Sequence, residues 1–276
     1  DLLAQSGIEP PQTPDQPLEV ARRLHRPDDG VYGIVWNAQR GSALGQTVAH
    51  MYAAFGLRML DDQGLPQLDQ ADAEKVAQFL KDLVAVSPPD ILSTAWDQRR
   101  RRFIAGQAAL TYEWGARMGE GLRSPDSQVG GKVQAYPPPV LAGIPPVASF
   151  GTWCLGIPSG LSRERQQRAW RAIAAICGME GARRMVQAGN AGVSKRILLD
   201  DDELGENFAG LFRVMRDLHD LQAFSPHVRP SIPQWNDLCI ILGDVFHDVL
   251  RGDLEPGKAP ALAQERALIL WGQGHD

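Results

Sequence analysis

Residues Trp96 to Trp114 read W-D-Q-R-R-R-R-F-I-A-G-Q-A-A-L-T-Y-E-W. The order predicts a charged helix, a stop at Gly106-Gln107, and a short buried strand over Ala108–Tyr112. Phe103 and Ile104 can anchor the helix end against a core. Gly106 allows the left-handed backbone that ends a helix. The small pair Ala108-Ala109 lets the strand sit close to its neighbours. Trp114 then falls just beyond the strand's carboxyl end, the position where open α/β sheets place their ligands. The reading is α/β.

Outward from this stretch the chain alternates helix and strand. Val31–Trp36 alternates as a strand, followed by a loop over Asn37–Ser42. Leu44–Phe55 is predicted as a helix, and so is Ala71–Val84, with Asp69 as its cap and Val76, Phe79, Leu80 and Leu83 on one face. Lys132–Tyr136 is predicted as a strand that ends in Pro137-Pro138-Pro139, so it cannot continue a central ladder. Ser149–Pro158 reads as a glycine-containing loop feeding a short buried strand. Ser162 is the cap of the next helix, whose apolar face is Ala169, Trp170, Ile173, Ala174 and Cys177. The last third is helical, with one stripe of Phe208, Leu211, Phe212 and Met215 and another of Leu238, Ile241, Leu242, Val245 and Val249.

Composition excludes several classes. Hydrophobic content of 43% and charged content of 22% are those of an ordinary globular protein of one large domain or two lobes. A net charge of −5 gives no support to a nucleic-acid partner. The run Arg99–Arg102 lacks interleaved aromatics and reads as a solvated helix face. No apolar run is long enough to span a membrane, and Asp1–Gly7 shows neither a basic start nor a cleavage pattern. Cys154, Cys177 and Cys239 have no metal spacing, and their odd number leaves at least one thiol unpaired within the chain. There is no nucleophile elbow, zinc-helix motif, Walker loop or dinucleotide fingerprint, so no catalytic residue, cofactor or metal is expected. His219-Asp220 and His247-Asp248 read as surface pairs.

The seven tryptophans carry more information. Flat aromatic faces bind the C–H faces of sugar rings, with polar groups around the rim. Trp36, Trp114 and Trp153 each fall at a strand end or loop, whereas Trp170 and Trp235 lie at helical positions and read as core. By itself Trp36 also suits simple packing of a strand end.

Phe103, Gly106, Ala108, Ala109, Leu110 and Trp114 resemble a signature of the extracellular solute-binding proteins of ABC transporters, the sugar-type family similar to maltose-binding protein. The likeness recurs in order along the chain. It is carried by Leu3, Gly7, Ile8, Pro11 and Thr13; by Trp170, Glu180, Gly192 and Arg196; by Arg229-Pro230, Pro233 and Trp235; and by Leu250 and Gly252. Pro14 stands where that family usually has Trp.

The resemblance implies an α/β, helix-rich fold of the type II periplasmic-binding-protein kind, with two lobes joined by a hinge. In that family an N-terminal portion precedes the segment at Leu3–Thr13, so one lobe is expected to be incomplete, with a second chain as one source of the remainder. Residues 1–140 and 200–276 would build the C-terminal lobe and 141–199 part of the N-terminal lobe. The implied function is capture of a carbohydrate in an interlobe cleft and its delivery to ABC-transporter permease subunits, without catalysis and without nucleic acid. The implied ligand residues are Trp36, Arg40, Trp114, Gly151, Thr152, Trp153 and Arg196. Gly151 would let backbone approach the ligand, and Arg196 would offer charged hydrogen bonds to hydroxyls or a phosphate. The implied location is periplasmic or extracellular, with a membrane anchor ahead of the segment at Leu3–Thr13. A glycerol-phosphate-type solute is the near variant. A glycoside hydrolase and a helical interaction protein without a small ligand are the rival classes.

Overall fold

A computed structural model describes residues 1–272 apart from Thr152, Asn207 and Pro226. In chain order the elements are α1 (Leu2–Gln5), α2 (Gln16–Leu24), β1 (Tyr32–Val35), α3 (Ser42–Ala54), α4 (Ala73–Val84), α5 (Trp96–Ile104), β2 (Ala108–Thr111) and α6 (Gly115–Arg123). They continue with β3 (Ala148–Ser149), α7 (Arg163–Cys177), α8 (Met179–Gln187), α9 (Asp202–Gly205), α10 (Leu211–Asp220), β4 (Phe224–Ser225), α11 (Trp235–Arg251) and α12 (Ala259–Gly272). The chain forms two compact units. The first comprises Asp1–Tyr112, Pro137–Phe150 and Leu218–Asp276; the second comprises Glu113–Tyr136 and Gly151–Asp217. The changeovers thus fall after Tyr112, Tyr136, Phe150 and Asp217, whereas the resemblance implied divisions at 141 and 200.

The first unit holds every strand found among the described residues. β1 and β2 pair in parallel, with Tyr32 opposite Ala108, Ile34 opposite Leu110 and Val35 opposite Thr111. β3 and β4 form a second parallel pair, Ala148 opposite Phe224 and Ser149 opposite Ser225. Parallel strands need covered faces. α2 lies so close to β1 that a Cβ on Gly33 would meet the Ala21 carbonyl oxygen at 2.3 Å. Gly106 adopts φ 75°, the left-handed stop expected between α5 and β2.

α3 and α11 make the tightest crossing of this unit. A Cβ on Gly45 would stand 1.8 Å from the Cys239 carbonyl oxygen, and one on Gly243 would stand 1.9 Å from that of Gly41. Any side chain at either position would drive the backbones apart. Around this crossing Leu44, Val48, Met51, Tyr52, Leu242, Val245 and Phe246 are buried, with the Tyr52 and Phe246 rings edge to face at 6.2 Å. Burial of each such side chain contributes roughly 1.5–3 kcal/mol.

The second unit has its own core of Ala182, Val186, Ala191, Leu198, Leu199, Phe208 and Phe212. The Phe208 and Phe212 rings stack at 4.9 Å, and Gly119 leaves room for Phe208, whose ring would lie 2.0 Å from a Cβ there. Asp201 accepts the Leu204 N–H at the start of α9 and pairs with Arg183 at 2.7 Å. These two contacts hold its carboxyl below the usual carboxylate range, the backbone N–H first.

Several expectations need correction. Lys132–Tyr136 forms no strand; Ala135 donates a single backbone hydrogen bond to Ala209. Trp153–Pro158 is likewise irregular, and all of it but the half-buried Ile157 is exposed. The short pair β3–β4 forms instead, beginning just ahead of that loop. A strand exists only where a partner supplies a ladder, and sequence alternation does not show the partner. α7 has no buried residue, and Trp170 is 62% exposed rather than core. Arg99 is 4% exposed, so the arginine run is not a wholly solvated face. His247 is buried, its Nε2 set 3.3 Å from the Leu92 carbonyl oxygen, while His219 and Asp220 do pair at the surface at 3.4 Å. α4 starts after Asp72, not Asp69, and Ser162 caps α7 through the Arg165 N–H at 3.4 Å. All three cysteines are free thiols.

Candidate functional site

Within the first unit, the chain leaves β1 through Trp36 and a loop to α3. Trp36 has no exposed surface, and its indole N–H donates to Ser87 Oγ at 2.9 Å. Ser87 in turn donates to the Leu83 carbonyl at 2.7 Å. Buried and bonded in this way, the ring packs the end of β1. Arg40 donates to the Asp244 carbonyl at 3.3 Å and forms an ion pair with Asp248. Its guanidinium ties the 37–41 loop to α11.

Within the second unit, Trp114 sits directly ahead of α6 and is half-buried, with its backbone N–H donating to Glu113 Oε1 at 2.7 Å. Gly151 and Trp153 lie in an irregular segment; Gly151 is exposed and the Trp153 indole is fully so. Thr152 lies outside the described residues. Arg196 opens a short 3₁₀ turn, and its guanidinium donates to Asp200 Oδ2 at 2.8 Å. Trp114 follows one changeover between units by two residues, and Gly151 and Trp153 follow another by one and three.

The sequence reading missed three polar residues that meet in the first unit. His50 lies on α3, Tyr112 directly follows β2, and Ser149 ends β3. Ser149 Oγ is 3.4 Å from His50 Nδ1. The His50 and Tyr112 rings meet edge to face with centroids 6.0 Å apart. All three are half-buried. Burial lowers the His50 pKa to about 4 and raises that of the Tyr112 phenol, so both are neutral near pH 7. The available signal was only the polarity of Tyr112 and Ser149 at strand ends; nothing in the sequence singled out His50 within α3.

A groove of about 650 Å³ also opens on the first unit, lined by Ala49, Ala53, Arg58, Ile144, Val147 and His227 among others. It contains none of the expected residues. Its Arg58 pairs with Asp62 at 2.7 Å, and the backbone N–H of His227 donates to Ser225 Oγ at 3.1 Å. Among the described residues no group of His, Cys, Asp and Glu is placed to hold a metal ion.

Residues 1–177 match the family model described as bacterial extracellular solute-binding protein. Over 117 residues the chain is 32% identical to a mannitol-binding protein of Pseudomonas aeruginosa, a match that covers 40% of this chain and 26% of that protein. A solute-binding protein of Agrobacterium radiobacter K84, solved with ribitol, superposes with a TM-score of 0.87 at 26% identity, covering 98% of this chain and 67% of that one. Maltose-bound MalE3 of T. maritima superposes with a TM-score of 0.85 at 25% identity, covering 98% of this chain and 68% of the other.

Proposed function

Because this chain belongs to the bacterial extracellular solute-binding protein family and has its α/β periplasmic-binding-protein fold, we propose that it captures a small carbohydrate or polyol and delivers it to the permease of an ABC importer. Members of this family bind solutes and are not enzymes. The observation that carries the proposal is the fully exposed indole of Trp153, set beside Gly151 in an irregular segment. An accessible indole offers the flat face that stacks on the C–H face of a sugar or polyol. Trp114 supplies a second aromatic face, and Gly151 leaves room for close backbone approach. Ribitol in one relative and maltose in another support a polyhydroxylated ligand.

A phosphate-bearing solute would need available cationic groups. Arg196 is engaged with Asp200 and Arg40 with Asp248, which favours a neutral solute. Arg40 acts in this reading by holding its loop. The proposed location is periplasmic or extracellular, in keeping with the family description; among the described residues no helix is long and apolar enough to cross a membrane.

The test is a tryptophan-fluorescence titration with ribitol, D-mannitol, maltose and glycerol 3-phosphate. A saturable change with a neutral solute is expected, weakened about tenfold or more in Trp153→Ala and Trp114→Ala. Saturation by glycerol 3-phosphate alone would replace the neutral ligand with a charged one. No response to any solute would sink the proposal.

A further inference from the structure

His50, Tyr112 and Ser149 stand at the carboxyl ends of both parallel strand pairs of the first unit. Tyr112 follows the last residue of β2, Ser149 is the last residue of β3, and His50 touches both from α3. Strand carboxyl ends are where open α/β sheets receive small ligands. The Tyr112 hydroxyl and His50 Nε2 have no hydrogen-bond partner among the described residues. Half-burial leaves these groups within reach yet poorly hydrated, so a bond made there counts for more than one in open water.

The chemistry of the three groups is uniform. Burial keeps the imidazole neutral, with one N–H donor and one bare acceptor nitrogen. The phenol and the serine hydroxyl each donate and accept. Neutral groups that do both match neighbouring hydroxyls, which also do both; an anion would instead call for cationic donors. Phe150, next to Ser149, is 57% exposed and packs edge to face on Phe224 at 6.1 Å. Its ring is engaged with Phe224 and is not one of the three groups.

We propose that His50, Tyr112 and Ser149 form a hydrogen-bonding subsite for a neutral polyhydroxylated solute and set which hydroxyl pattern the chain accepts. The subsite rests on the solute-binding function proposed above. It differs from the tryptophan positions in supplying direction and not only contact area. It also differs from the 650 Å³ groove, which contains none of the three residues and whose Arg58 is paired with Asp62.

The test is calorimetric titration of the whole chain with ribitol, D-mannitol and maltose, with inorganic phosphate as the charged control. Tyr112→Phe removes one hydroxyl that no described residue bonds, so its urea midpoint should match that of the unchanged chain. Its affinity for the bound solute should fall about tenfold. Ser149→Ala should lose about threefold, and His50→Phe should lose more than tenfold, with His50→Gln recovering part of the loss. The ranking of the three solutes should shift in these variants, which a merely structural role would not produce. If the unchanged chain binds a solute and Tyr112→Phe and His50→Phe keep its affinity within twofold, the subsite is refuted and solute binding stands. Preference for phosphate refutes the neutral class. If the unchanged chain binds none of the solutes, the proposed function fails and the subsite with it.

Discussion

α11 and α7 carry the same kind of sequence and have opposite fates. Both have an apolar stripe at helical spacing, Leu238, Leu242, Val245 and Val249 in one, Ala169, Trp170, Ile173 and Cys177 in the other. α11 buries nine of its seventeen residues; α7 buries none of its fifteen. The first lies across α3, where glycines bring the backbones together. The second packs along α8, where Gly181 admits the Ile176 carbonyl, and leaves Trp170 and Ile176 exposed. An amphipathic pattern nominates a face for burial. Burial itself needs a surface of matching shape within the same folded unit, and periodicity does not report that surface.

The contrast can be broken first at its strongest point. Phe246, fully buried on α11, should cost about 3–5 kcal/mol when changed to Ala, read from urea unfolding followed by circular dichroism. A loss below 1 kcal/mol would mean the α3–α11 crossing does not stabilise the first unit as described. Phe208 sharpens the comparison, because it shows that the second unit does have a core even though α7 is not part of it. Phe208→Ala should cost about 3 kcal/mol in unfolding of that unit. An unchanged midpoint would deny the second unit a packed centre.

Trp36→Phe should cost about 1–2 kcal/mol, from lost packing and the lost bond to Ser87, while leaving solute affinity unchanged. Weakened binding at constant stability would restore Trp36 as a contact residue. Acid tests the first unit in another way. Burial lowers the pKa of His50 to about 4 and that of His247 in the same direction, against an ordinary value near 6.5. Between pH 6.5 and about 4 the unfolded chain therefore binds more protons at these sites than the folded one. Stability should fall as the pH is lowered through that window, and His50→Gln should flatten part of the slope. A slope that the variant leaves unaltered would remove His50 from the account. The smallest effect is expected on α7, where Trp170→Ala should change stability by less than about 0.5 kcal/mol. A loss above 2 kcal/mol would show that the exposed face is covered in solution.

Much of the local structure was legible in the chain. Gly106 as a helix stop and Ser162 as a cap depend on neighbours in sequence, and each formed where the residues placed it; the strand at Ala108–Thr111 formed because β1 supplies its ladder. The family was legible as well, because its signature residues recur in order. The two extra strands failed because pairing is a property of two segments, and neither Lys132–Tyr136 nor Trp153–Pro158 found a second. His247-Asp248 was misread for a related reason: adjacent residues on a helix point in different directions, and only the packing of α11 decided which of them went inside.

The sequence alone determined the α/β class, most helix positions, the absence of known catalytic motifs and the tryptophans available for a ligand. Tertiary structure decided which of those tryptophans face water, with Trp36 sealed against Ser87 and Trp153 left open. It also decided where polar groups converge. Residues 50, 112 and 149 share no motif and lie far apart in the chain; α3 and the two parallel strand pairs bring them within contact. Local order follows from short-range sterics and hydrogen bonding, which a sequence displays, whereas burial and convergence depend on which distant surfaces meet.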